Sequence, residues 1–131
     1  MPANPESVAA AIQLAVAPVF LLTGIAGLLN VMAHRLGRVI DRARAIEASL
    51  PTIPSARRAL ADTDLEILGL RMLVAQWAIA MCVLSALLVC IVVAVLFIGE
   101  LTPITRAVPV ALLFIAATGL LIIGLLLFLY E

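Results

Sequence analysis

The chain has 131 residues, 66% of them hydrophobic and 12% charged, with a mean hydropathy of +1.29. Soluble domains are about half apolar and about a quarter charged, so the composition argues against a soluble domain and places the chain in the membrane class, as one domain. The formal net charge of zero hides a segregation: lysine is missing, and seven of the eight arginines lie between Arg35 and Arg71.

Met1 to Glu6 is short and polar, without the positive charge of a secretory signal peptide. Asn4-Pro5-Glu6 has the chemistry of a helix start: a capping side chain, a proline suited to the first turn, and a carboxylate at the positive end of the helix dipole. From Ser7 to Ala33 follow 27 residues without a charge, more than the ~20 needed to cross the hydrocarbon. Pro18 inside this first span removes one backbone bond and predicts a modest kink. The helix then leaves the bilayer near Asn30 and continues into water, carrying His34, Arg35, Arg38, Asp41, Arg42 and Arg44. Leu29, Met32, Leu36, Val39, Ala43, Ile46 and Leu50 step by alternating threes and fours, a heptad seam.

Pro51 and Pro54 end this helix, and Ser55 is placed to cap the next. There the apolar steps run through Ala56, Leu60, Thr63, Ile67, Leu70, Val74, Trp77 and Met81. A short turn between two such seams predicts an antiparallel helical hairpin. Arg38–Asp41, Asp41–Arg44 and Arg58–Asp62 stand at helical spacing on its outer faces. Met72 to Gly99 is again free of charge and forms a second span, with Trp77 at the interfacial position. Gly99 to Arg106 reads as a polar loop, and Ala107 to Tyr130 as the third span. Cys82 and Cys90 lie eight positions apart, about 12 Å along a helix rising about 1.5 Å per residue. That is beyond disulfide reach, and both thiols read as small hydrophobes.

The fold class expected is an all-α integral membrane protein with three transmembrane helices, helices 1 and 2 extending into a cytoplasmic antiparallel coiled-coil hairpin. The spans cover about 8–33, 72–98 and 107–130, the hairpin about 34–71, and an outer loop 99–106. The arginine-rich hairpin belongs in the cytoplasm by the positive-inside rule, which puts the N-terminus outside and the C-terminus inside.

Plotted at about 100° per residue, Thr23, Gly27, Asn30, His34 and Asp41 fall opposite the seam of the first helix, with Arg38 slightly further round. A polar stripe running from the bilayer into water must face protein or water. Two readings stand. The stripe lines a pore formed by several copies, since three spans cannot enclose one. Alternatively, its small and amide residues admit a neighbouring helix. Gly119, Gly124 and Ala116-Ala117 offer close-packing surfaces in the third span.

No nucleotide loop, metal-ligand cluster, nucleophile–base pair or cofactor motif is visible, so no enzyme is expected. Seven arginines against five carboxylates leave the hairpin an excess of two positive charges. That is a counter-charge for anionic lipid head groups, without the clean basic face that nucleic acid requires. The partners expected are the lipid bilayer and further copies of the chain as a homo-oligomer. The competing class is a structural or signalling adaptor whose hairpin binds a partner protein.

Ala17-Pro18-Val19-Phe20-Leu21-Leu22-Thr23-Gly24-Ile25-Ala26-Gly27-Leu28-Leu29-Asn30, then Arg35-Leu36-x-Arg38-Val39-Ile40-Asp41-Arg42-x-Arg44, resembles the bacterial membrane proteins of the domain-of-unknown-function family 2721, as does Leu84-Ser85-Ala86-Leu87-Leu88-Val89. The resemblance covers essentially the whole chain. It implies a multi-pass protein of the bacterial inner membrane and no particular activity.

Overall fold

The computed structural model describes residues 4–101 and 107–131, the side chains of Glu100 and Leu101 excepted. Three long helices account for nearly all of them: α1 (Pro5–Ser49), α2 (Ser55–Leu101) and α3 (Ala107–Tyr130), with a 3-10 turn at Leu50–Thr52. Each has a stretch long and apolar enough to cross a membrane.

α1 begins as its sequence suggests, though the cap differs in detail. Asn4 is extended at the cap position and Pro5 is the first helical residue. The bond that forms there runs from the Ser7 hydroxyl to the Asn4 carbonyl at 2.7 Å, and the Asn4 side chain makes no capping bond. The helix continues through Pro18, which is buried, and past Asn30 to Ser49. At the turn the Leu50 N–H bonds to the Ile46 and Glu47 carbonyls, and the Ser49 and Thr52 hydroxyls donate back to the Ile46 and Ser49 carbonyls, each at 2.8 Å. Ser55 is the first residue of α2 rather than its cap. Gly99, Glu100 and Leu101, expected in the loop, extend α2 by a turn. The rest of that loop, 102–106, lies outside the described residues.

α2 lies in the middle, with α1 and α3 both packed on it. Residues 50–54 alone join α1 to α2, so the two run antiparallel. α1 buries Ala11, Pro18, Ile25 and Met32, each seven residues from the last, with Ala15 and Ala43 between and beyond them. Leu29, Leu36, Val39, Ile46 and Leu50 are half-buried in the same register, so the seam read from the sequence is the inner face, and it reaches about five turns further into the apolar part, to Ala11.

On α2 the expected seam is out of phase. Leu60, Ile67, Leu70 and Trp77 are exposed, at 68%, 48%, 65% and 56%. The buried line is Ala61, Leu68, Ala75, Cys82 and Val89, each seven residues from the last. Small side chains let two backbones approach closely, and here alanines take the contact positions while bulkier neighbours turn outward.

The three helices meet at Ile25 and Met32 of α1, Cys82 of α2 and Leu121 of α3, with Leu28, Ile79 and Phe128 packed around them. The Cys82 thiol lies 3.9 Å from the Met32 sulfur. α3 is held to α2 by two small-residue features. The buried Ser85 hydroxyl donates to the Ala117 carbonyl at 2.6 Å. At Gly124 a Cβ would stand 2.9 Å from Cys82 Sγ and 3.1 Å from the Ala78 carbonyl oxygen. Gly119, expected to serve similarly, has nothing within 4 Å of a Cβ built on it.

Candidate functional site: the outer face of α1

The seam of α1 fixes where its remaining residues point. Because the inner face is taken by α2, the opposite side turns outward over the full length of the helix. Thr23, Gly27, Asn30, His34, Arg38 and Asp41 are all exposed.

Within the stripe the structure separates two parts. Asn30, His34, Arg38 and Asp41 line one shallow groove of about 340 Å³. Its remaining lining is Ala33 and Gly37, whose lack of bulk makes the hollow between the longer side chains. Thr23 and Gly27 lie further along the apolar part and do not line it. Thr23 meets its own need, its hydroxyl donating to the Val19 carbonyl one turn back at 3.2 Å. It therefore makes no demand on a neighbour. The Asn30 side chain has no hydrogen bond among the described residues, and a Cβ added at Gly24, Gly27 or Gly37 would meet nothing within 4 Å. The pairs at helical spacing, Arg38–Asp41, Asp41–Arg44 and Arg58–Asp62, form no ion pair among the described residues.

Other contacts lie beyond what spacing shows. The Arg35 guanidinium sits 5.1 Å from the centre of the Phe128 ring, tying α1 to the end of α3 where the apolar stretch of α1 gives way to charge. Such a contact is worth about 0.5–1 kcal/mol at an exposed site. No spacing within one helix could have paired residues so far apart in sequence. A second concavity, about 450 Å³, opens between α1 and α2 at the turn, lined by Ile46, Ile53, Leu60 and Ala61 with Arg57 and Asp64 at its polar edge. Among the described residues no three His, Cys, Asp or Glu side chains gather as metal ligands would.

A fold that is helical throughout the described residues, with three helices long and apolar enough to cross a membrane and a small-residue contact between the second and third, defines the class: a helical protein with three candidate membrane spans. More particularly, the chain belongs to the family described as "Protein of unknown function (DUF2721)", whose model matches residues 15–131. No curated protein and no solved structure matches it.

Proposed function

We propose that the protein is a homo-oligomeric membrane pore for ions or small solutes, with α1 of each copy lining the axis. It sits in a bacterial inner membrane, N-terminus outside and C-terminus cytoplasmic, and the charged halves of α1 and α2 project into the cytoplasm as an antiparallel coiled coil. The observation that supports the reading is the stripe on α1. It is polar from Asn30, near the end of the uncharged run, into the charged region, and it is exposed on a helix at the edge of its own bundle. A polar face of that extent does not sit stably against lipid, and three helices are too few to surround a channel. Several copies of α1 around one axis meet both conditions. The orientation rests on the crowding of arginines between Arg35 and Arg71; the same arginines attract anionic lipid head groups at the membrane surface.

The test is mass measurement in mild detergent together with ion flux in proteoliposomes. A multimer that conducts, with conductance altered by Asn30→Leu, is the expected result; a monomer alone overturns both oligomer and pore. Orientation is checked separately with an impermeant thiol reagent on variants lacking Cys82 and Cys90. It should modify Thr102→Cys from outside and spare Ala48→Cys, and the reverse pattern sinks the topology.

A second reading, an adaptor whose hairpin binds a partner protein, is favoured by the exposed apolar side chains of Leu60, which lines the concavity at the turn, and of Ile67 and Leu70 further along α2. Changing these three to serine leaves flux intact under the first reading and releases a co-purifying protein under the second.

A further inference from the structure

Extending the oligomeric reading of α1, we infer that Asp41 of each copy is clasped by arginines of the copies beside it, closing the charged end of the assembly. Three features of the outer face of α1 lead there. The first is spacing. Thr23, Gly27, Asn30, His34, Gly37 and Asp41 step by alternating fours and threes, the same interval as the inner seam. α1 therefore carries a second line that a parallel helix can follow over many turns, and copies inserted in one membrane share their direction.

The second feature is room. Ala33 and Gly37 form the low part of the groove between Asn30, His34, Arg38 and Asp41, and a Cβ at Gly37 would have nothing within 4 Å. The hollow lies on a single helix and opens outward, so side chains from another chain have room there. Gly124, by contrast, is already filled by the chain itself.

The third feature is charge, and it identifies the occupant as a second copy. Three residues along an α-helix turn about 300°, so Arg38 lies about 60° to one side of Asp41 and Arg44 about 60° to the other. When Asp41 faces the common axis, Arg38 leans toward one neighbouring copy and Arg44 toward the other. Each carboxylate then stands between arginines from both sides. Asp41, Arg38 and Arg44 are all exposed and none forms an ion pair within its own chain among the described residues. Flanking charges of this kind set partner choice and register more than raw affinity.

The test uses two complementary variants of the full-length protein, Asp41→Arg and the double Arg38→Asp with Arg44→Asp, differently tagged and co-expressed. Within each variant chain the three groups carry one sign, so recovery in the mixture can come only from contacts between chains. Mixed assemblies should exceed either single-variant assembly by about tenfold or more, read by sequential affinity capture in mild detergent. The same exchange made off the stripe, Asp62→Arg against Arg57→Asp with Arg58→Asp, should give statistical mixing. If the unmodified protein is multimeric while the Asp41 and Arg38/Arg44 variants assemble alone as well as it does and mix at random, the clasp is wrong and the oligomer stands. If the unmodified protein is monomeric, both fall.

Discussion

Two surfaces of this molecule use the same residue types and differ in whether anything answers them. At the α2–α3 contact, Gly124 is a glycine because Cys82 and Ala78 occupy the space a side chain would need, and the Ser85 hydroxyl is spent on the Ala117 carbonyl. On the outer face of α1, Gly27 and Gly37 face open space and the Asn30 side chain has no hydrogen bond among the described residues. Without a hydrophobic drive between helices in lipid, association rests on close packing of small residues and on interhelical hydrogen bonds. The first surface is a finished contact of that kind. The second has the components of one without the opposing helix, which is why the functional reading rests on it.

The contrast is most exposed to failure at the glycines. Gly124→Leu should displace α3 and lower the thermal stability of the detergent-solubilised protein by about 1–3 kcal/mol, the usual cost of overpacking. Gly27→Leu should leave the stability of the single chain nearly unchanged while reducing its self-association. Equal melting shifts for the two would erase the distinction. Next in size is Ser85→Ala, which removes the α2–α3 hydrogen bond and should cost roughly 0.6–1.7 kcal/mol. Thr23→Ala should cost less, since its hydroxyl only doubles a bond within α1; a comparable loss would show that Thr23 has a partner. The smallest effect belongs to Gly37→Ala. Alanine is favoured over glycine in a helix by up to about 1 kcal/mol, so the isolated chain should be slightly stabilised. Chemical crosslinking between copies should nonetheless fall.

Three helices long and apolar enough to cross a membrane and a turn at Pro51–Pro54 were legible in the sequence because they depend on length, charge and proline, which act locally. So was the inner seam of α1, where Met32, Leu36 and Val39 are flanked by His34, Arg35 and Arg38 and the polar residues mark the outside. On α2 the same reasoning chose Leu60, Ile67 and Val74 over Ala61, Leu68 and Ala75 and was one residue out. Counting bulk as burial fails where the contact is built from alanines, and within the apolar part lipid solvates leucine as readily as protein does. The direction of the polar stripe was readable from helical period alone. Its division at Gly27–Asn30 was not, because that depends on Thr23 bonding to its own backbone and on the hollow left by Ala33 and Gly37. Nor could spacing give Arg35 over Phe128, which needs the end of α3 brought to the flank of α1.

The unbroken length of α1 has a mechanical consequence. Its 45 residues span roughly 68 Å at about 1.5 Å per residue, more than twice the ~30 Å of hydrocarbon. All three helices meet at Ile25 and Met32, near the middle of that length, and the inner face of α1 is buried from Ala11 to Ala43. A sideways pull on the turn between α1 and α2 is therefore carried by both helices together rather than by α1 alone.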